Sequence, residues 1–464
     1  MIRTYTLAEA RAWIGAGVPD PAVDSLEFDG VSTDTRVLGQ GQLFVALRGD
    51  RFDGHRFLEK ARAAGAVAAV VDCLDRSVDL PQLVVEDTVT ALAQLAAGNR
   101  NESHARFVAV TGSAGKTTVR EMVASVLSRM APTLATRGNL NNHIGVPLTL
   151  FGLAREHRFG AIELGASGLG EIAHTVAITR PEVVILTNAA PAHLEGFGSY
   201  ENVVSAKGEI IDGVAAGGLV VLNRDDPAFS QWLARAGDRR VVSVSRNGHP
   251  GADYQAHGQQ PEGRELAFEV SGPAGWSCSL RLALEGEHNI TNALLAIAAS
   301  RELGADDSAV VDGLSAVRAV KGRLQSLDLG GGMTVIDDSY NANPVSVKAA
   351  LDVLARHPGN RIAVLGAMAE LGPGTRGFHR EVGEHARTLG IERLITVGAG
   401  CEGYAEGYGD KTEMYDTHEQ AAESVVRASH QVPVTVLVKG SRSSTMEIVV
   451  EGIKKKVDNS CCSG

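Results

Sequence analysis

Val110-Thr111-Gly112-Ser113-Ala114-Gly115-Lys116-Thr117-Thr118 sets a glycine turn, a lysine and a hydroxyl residue directly behind an apolar run. That order makes a nucleotide-phosphate cradle. Phe107 to Val110 reads as a buried strand, and Val119 to Met130, apolar at Val119, Met122, Val123, Val126 and Leu127, reads as the helix that follows. The glycines let backbone N–H groups turn onto phosphate oxygens, where a helix N-terminus adds partial positive charge. Gly112, Ser113, Ala114, Gly115, Lys116, Thr117 and Thr118 are therefore the expected ATP-binding segment, with Lys116 reaching the terminal phosphates and Thr117 offering its hydroxyl to Mg²⁺. The common motif has four residues between its first glycine and the Gly-Lys pair, and here only Ser113 and Ala114 intervene. A short loop could be a chance glycine turn, but the strand before it and the helix after it favour a cradle.

Working outward, 464 residues exceed one ordinary core and suggest about three domains. Apolar residues at 44% and charged residues at 21% are ordinary for a globular chain, and 53 glycines fit many tight strand-to-helix turns. A net charge of -11 disfavours non-specific binding to nucleic acid or an anionic membrane. Cys73, Cys278, Cys401, Cys461 and Cys462 have no metal-like spacing, the terminal pair falls in an expected frayed tail, and disulfides are not expected. The start, Met1-Ile2-Arg3-Thr4-Tyr5-Thr6, lacks an apolar leader core, and no run approaches the roughly 18 apolar residues of a membrane span. The expectation is a cytoplasmic monomer without nucleic-acid partners. Lys454-Lys455-Lys456 reads as a solvated helix end.

The fold class expected is α/β in three domains. Residues 1–85 form a small α/β unit with strands Leu43 to Leu47 and Val67 to Val71 around a helix from Arg56 to Ala64. Residues 86–320 form a central P-loop-type ATPase domain, in which Phe107 to Thr111, Gly160 to Leu164, Glu182 to Thr187 and Gly218 to Leu222 alternate with helical patterns and imply a covered parallel sheet. Segment Arg239 to Leu282 reads as a β-rich excursion from it. Residues 321–464 read as a doubly wound, Rossmann-like domain with strands Met333 to Asp337, Arg361 to Leu365, Arg393 to Val397 and Val434 to Val438, and a helix Pro344 to Arg356.

Ligands of open parallel sheets gather beyond the carboxyl ends of the strands, so polar residues there are site candidates. Glu163 ends one apolar run and His193 follows another, near enough in pattern to the cradle to serve Mg²⁺-ATP, although hard Mg²⁺ prefers oxygen. By itself Glu163 could be a surface strand end and His193 a packing histidine. Lys207, in the helical stretch Tyr200 to Ile211, would by itself be a solvated lysine. Asn289 and Asn292 open an alanine-rich helix and could read a purine ring or simply cap the helix. Arg323 could clamp phosphates and Asp338 hold ribose hydroxyls, or the two could form a hinge ion pair. Asn223-Arg224-Asp225-Asp226 has the form of a guanine reader, but Asp212 is the only aspartate between Thr118 and Asn223, and Ala215 stands where a GTPase switch needs glycine.

Taken together these segments resemble the Mur ligases over essentially the whole chain. The resemblance is carried by Ser32-Thr33-Asp34-Thr35-Arg36 with Leu43 to Leu47, by Thr111 to Thr118, and by Gly138 to Pro147 with Asn141-Asn142-His143. It continues in Ala192 to Ser199, in Asp338 to Pro344 and in Lys439-Gly440-Ser441-Arg442. That family uses a Gly-x-x-Gly-Lys-Thr loop, which accounts for the short cradle. The Asn-Asn-His-Ile-Gly-Val-Pro and Tyr-Asn-Ala-Asn-Pro runs resemble the branch that joins D-alanyl-D-alanine to UDP-N-acetylmuramoyl-tripeptide.

The resemblance implies that these two compounds are the substrates, that ATP is consumed through an acyl phosphate, and that ADP and phosphate are released. It implies that Lys116 stabilises the transferring phosphoryl group, that Thr117 and Glu163 hold one Mg²⁺, and that His193 and a CO₂-derived carbamate on Lys207 serve a second. It brings Asn289 and Asn292 to the adenine, Arg323 to the phosphates and Asp338 to the ribose. Ser32, Thr33, Asp34 and Arg36 would meet the UDP end of the substrate, and Asn141, Asn142, Lys439, Ser441 and Arg442 other parts of the substrates. Phosphate and ribose residues on different domains, joined near Val320 to Gly322, imply domain closure. A related ligase of tripeptides or folates and a non-catalytic nucleotide-binding regulator are the rival readings. Exchange of Lys116 for Ala should abolish ATP turnover with circular dichroism unchanged, and retained turnover would remove Lys116 from the mechanism.

Overall fold

Phe107 and Ala109 point into one hydrophobic core, and Val108 and Val110 into another. An apolar run with period two thus becomes the spine of a sheet buried on both faces. In the computed structural model, which describes residues 1–17, 21–49, 52–428 and 433–461, that strand is Arg106–Thr111. It lies inside a nine-stranded sheet, parallel to Phe159–Glu163 on one side and to Val183–Leu186 on the other. The next strands leave in opposite directions from it, so a crevice opens at its carboxyl end.

Beyond Val183–Leu186 the sheet continues in parallel through Leu219–Asn223 and Arg240–Ser245. Arg240–Ser245 was expected to begin the β-rich excursion, but it extends the parallel sheet, packing Val244 into the core. The excursion proper is the antiparallel set Tyr254–Glu262, Glu265–Ser271 and Ser277–Leu282. Helices Lys116–Leu127 and His288–Glu302 cover one face of the sheet, where Val119, Met122, Ile290, Ala293 and Leu294 are buried.

Two expected helices shift. The helix after the loop starts at Lys116 rather than Val119, because Gly115 in the left-handed region (φ +81°) turns the chain straight into it. It ends at Leu127 rather than Met130, where Arg129 and Met130 N–H groups close tighter turns onto Val126 and Leu127 carbonyls. The expected Arg56 to Ala64 helix divides into a 3-10 turn, Gly54–Phe57, held by the Asp53 carboxylate on the His55 N–H, and an α-helix Leu58–Ala63.

Ahead of the central sheet stands a separate four-stranded parallel sheet, Gly30–Ser32, Gln42–Val45, Ala68–Val71 and Gln82–Val84. After it comes a six-stranded sheet ordered Gln325–Asp328, Met333–Asp338, Val434–Lys439, Asn360–Gly366, Arg393–Val397 and Glu413–Tyr415. Only its first strand is antiparallel. Helix Pro344–Ala355 follows Met333–Asp338 and starts on a capping box between Asn343 and Ser346. Among the described residues no helix is long and apolar enough to cross a membrane. Cys462 lies outside the described residues.

Candidate active site

The loop after Arg106–Thr111 lies against the end of the neighbouring strand. Thr187 donates its hydroxyl to the Ala114 carbonyl at 2.6 Å, and Asn188 receives the Ala114 N–H on Oδ1 at 2.9 Å. The Ser113 N–H reaches the Asn188 carbonyl at 3.0 Å, and the Ser113 hydroxyl exchanges bonds with the Ala190 backbone. Only glycine fits at 112. A Cβ there would stand 1.9 Å from Thr187 Oγ1, with φ at +149°. Gly115 is nearly as tight, its Cβ position 2.7 Å from Asn292 Oδ1. The helix behind has no side-chain cap, so its first N–H groups remain available to an anion. Lys116 folds back to donate to the Gly112 carbonyl at 2.7 Å, and burial lowers its pKa from the ordinary lysine value.

Glu163 ends its strand 1% exposed. Asn141 donates to its Oε1 at 2.8 Å, while Oε2 is buried without a partner. An unpaired buried carboxylate oxygen is costly unless something positive meets it. Lys207, read from its surroundings in sequence as a solvated lysine, is instead 2% exposed. Its Nζ donates to the Ala166 carbonyl at 3.2 Å and sits 5.1 Å from the centre of the Phe197 ring. Burial, reinforced by the charge of Lys116, lowers its pKa to about 7. His193 precedes the short helix Leu194–Phe197 with φ +55° and binds the Glu370 carboxylate through Nδ1. Burial lowers its pKa, so the ring is held toward its neutral form.

One cleft of about 520 Å³ gathers most of the expected residues: Ser113 to Thr118, Glu163, His193, Asn289 and Asn292 from the central domain, and Arg323 and Asp338 from the C-terminal one. Asn292 donates to Asn289, and Asn289 to the Glu285 carbonyl, which fixes both amides. Arg323 lies over the Tyr340 ring at 4.3 Å. Asp338 accepts from Lys439 Nζ at 2.6 Å and from the Leu324 N–H at 3.1 Å. Burial pushes its carboxyl up, and Lys439 opposes that. Asn141, Asn142 and Lys439 also line the cleft, Asn142 capping the turn at Ile144 and Gly145.

Lys207 lies outside the lining, behind the Ala166 carbonyl, which does line the cleft. Ser32, Thr33, Asp34 and Arg36 are elsewhere, at the end of a strand in the first sheet, where Arg36 forks onto Asp34. Ser441 bonds the hydroxyls of Ser443 and Ser444, and exposed Arg442 pairs with Glu447. None of these six lines the cleft.

Three contributors escaped the sequence. Thr187 and Asn188 end an apolar run, so the strand-end rule could have found them. Glu370 lies 177 residues from His193 and carried no such signal. Asn223, whose run has the form of a guanine reader without the switch that a GTPase needs, braces the strand end by donating to the Thr187 carbonyl at 3.1 Å.

A Gly-x-x-Gly-Lys-Thr cradle on one parallel sheet, facing a second doubly wound domain across the cleft, is the architecture of three-domain ligases. The chain belongs to the Mur ligase family. The profile of the Mur ligase middle domain matches residues 110–300, that of the glutamate ligase domain residues 322–442, and that of the Mur ligase catalytic domain residues 27–100. The UDP-N-acetylmuramoyl-tripeptide–D-alanyl-D-alanine ligase of Escherichia coli K12 is 44% identical over 93% of this chain and 94% of its own length. The Bacillus subtilis ligase of the same name is 34% identical over 94% and 95%. Among solved structures, MurF from Acinetobacter baumannii superposes with a TM-score of 0.92 at 33% identity over 98% of this chain and 99% of that one. MurF ligase from Thermotoga maritima in complex with ADP does so with 0.83 at 27% over 93% and 98%.

Gly112→Ala should weaken ADP binding by about tenfold or more, the scale of one strained backbone position. Calorimetric titration measures this, and an unchanged affinity would show that the loop relaxes around the new methyl group.

Proposed function

We propose that this protein is an ATP-dependent, ADP-forming amide ligase that joins D-alanyl-D-alanine to the free carboxylate of UDP-N-acetylmuramoyl-tripeptide, completing the pentapeptide precursor of peptidoglycan. What carries it is the meeting of a phosphate cradle on one domain with Arg323, Asp338 and Lys439 of the next in one cleft, in a chain matched end to end by ligases of that name. Residues 1–85, with Ser32, Thr33, Asp34 and Arg36, take the UDP end of the substrate. Residues 86–320 bind ATP, and residues 321–464 supply part of the dipeptide site through Lys439, Ser441 and Arg442. The chain works as a cytoplasmic monomer.

The tripeptide carboxylate attacks the γ-phosphorus of ATP. A carboxyl O–P bond forms, the bond to the β–γ bridging oxygen breaks, and ADP leaves with that electron pair. The dipeptide amine then attacks the acyl carbon, loses a proton, and phosphate departs as the C–O bond breaks. The protein's part is positioning and charge neutralisation. Lys116 and the N-terminus of its helix meet the phosphates. Asn289 and Asn292 present fixed amides to the adenine, Arg323 reaches the phosphates and Asp338 the ribose, while Asn141 holds Glu163 in place.

The donor set fits Mg²⁺. Glu163 keeps a buried oxygen without a partner, and Thr117, 4% exposed, lies at the start of the cradle helix. Among the described residues no three His, Cys, Asp or Glu side chains cluster as a metal site of their own. That suits an ion held by few protein oxygens and the nucleotide's phosphates. Thr117 and Glu163 would hold one ion, and His193 with carbamylated Lys207 a second; bound there, Mg²⁺ supplies charge neutralisation to the transferring phosphoryl group. Lys207 suits carbamylation because its buried amine is largely neutral near pH 8, ready to attack CO₂ and lose a proton, with Lys116 close enough to steady the anion.

Phosphate release should require both D-alanyl-D-alanine and the UDP-muramoyl tripeptide, and equal release with another amine and carboxylate pair would sink the assignment. Turnover should also fall as pH drops below about 7, where Lys207 is protonated, and in CO₂-stripped buffer, with bicarbonate restoring it. A rate indifferent to both would exclude the carbamate.

A further inference from the structure

Two residues with left-handed backbone meet across the boundary between the central and C-terminal domains. His193 has φ +55°, and Glu370, in the loop after strand Asn360–Gly366, has φ +61°. Side chains with a Cβ disfavour this region, and it concentrates where a site is being shaped. Their segments are joined twice. The Glu370 carboxylate takes His193 Nδ1, and the Glu195 N–H donates to the Glu370 carbonyl at 3.2 Å.

The loop that carries Glu370 is clamped from below. Met368 and Leu371 on either side of it are buried at 1% and 2% exposure. His379, fully buried, receives the Met368 N–H on Nε2 at 2.9 Å and donates Nδ1–H to the Thr375 carbonyl at 2.7 Å. Its ring stands edge-on to Tyr404 at 4.5 Å. Glu370 is therefore an arm fixed to the C-terminal domain rather than a mobile surface carboxylate.

An ionised carboxylate can only accept, so the proton of His193 lies on Nδ1 and its lone pair on Nε2. The ring lines the cleft. With side chains 34% and 54% exposed, the pair adds little to stability as an ion pair. Its value is orientation, as when a carboxylate sets the tautomer of a metal-binding histidine.

We propose that Glu370 is a positioning residue of the active site: carried in by the C-terminal domain, it sets the tautomer and orientation of His193, so that Nε2 is offered to the cleft only when the two domains are together. This rests on the reading of His193 as a metal-positioning side chain. It gives domain closure a chemical consequence at the phosphoryl end of the cleft.

The test uses the full-length chain labelled with ¹⁵N-histidine, the His193 resonances being assigned by their loss in His193→Gln. In the wild-type protein His193 should show the Nδ1–H tautomer. Glu370→Ala should move it toward Nε2–H and raise the Mg²⁺ concentration for half-maximal turnover about tenfold. Glu370→Gln, whose amide oxygen still accepts, should keep the tautomer and recover most of the Mg²⁺ response. An unchanged His193 tautomer in Glu370→Ala would overturn the proposal while leaving the role of His193 intact. A Mg²⁺ response unchanged in His193→Gln would instead overturn the metal reading on which the proposal rests.

Discussion

The cleft depends on one close approach, that of the loop at Gly112 to the strand end at Thr187. No side chain fits between them, and that absence allows the Thr187 hydroxyl and the Asn188 amide to grip the Ala114 peptide from both its N–H and its carbonyl. The grip sets the direction in which the chain enters the helix at Lys116. It also explains how a loop two residues shorter than the common cradle is kept in shape. The neighbouring strand supplies the constraint that extra loop residues would otherwise provide, so cradle and strand end form one unit.

Around that unit the charges are unbalanced in a way that calls for a ligand. Both Lys116 and Lys207 have lost solvation, and each is further disfavoured as a cation by a neighbouring charge, Lys207 by Lys116 and Lys116 by Arg323. Glu163, between strand and cleft, has one oxygen satisfied by Asn141 and the other by nothing. A buried carboxylate half satisfied beside the desolvated amine of Lys116 is a poor way to stabilise a fold. It is a good way to receive a polyanion with its counter-ion, because incoming phosphates and a divalent cation satisfy both deficits together.

Much of this was legible in the sequence, and the reason is local. A strand of period two, a glycine pair with a fixed offset to lysine, and polar residues behind apolar runs are all encoded within about ten residues, so Lys116, Thr117, Glu163 and the parallel sheet could be read directly. What could not be read is what distant elements do to a residue. Lys207 looks solvated because its own helix leaves it neutral in pattern, and only packing against Ala166 and Phe197 buries it. The helix start moved to Lys116 because a glycine with positive φ can begin a helix without the usual polar cap. Asp338 and Lys439 were read as separate ligand contacts, one for ribose and one for substrate, yet their strands are adjacent in register and the two side chains bond each other.

That last pairing bears on how the domains cooperate. The central domain sends Glu285 into the C-terminal one, where Ser326 and His357 donate to it at 2.6 and 2.7 Å, and Glu287 pairs with both Arg246 of its own domain and Arg356 of the other. Glu285 also fixes Asn289 through its carbonyl, so the same short segment ties the two domains together and shapes the side of the cleft proposed for the adenine. At the far end the contacts are the Glu370 carboxylate on His193 and the Glu195 N–H on the Glu370 carbonyl. A boundary held at one end by the largely buried Glu285–His357 pair and two further ion pairs, and at the other by a half-exposed side-chain contact and one backbone hydrogen bond, would open first at the second end, where fewer bonds have to be replaced by water. With the nucleotide placed as proposed, opening of that kind would uncover the phosphoryl side of the cleft while the side at Asn289 keeps its shape. On the proposed reading a nucleotide would then meet the fixed amides of Asn289 and Asn292 before the chemistry at its γ-phosphate is enclosed.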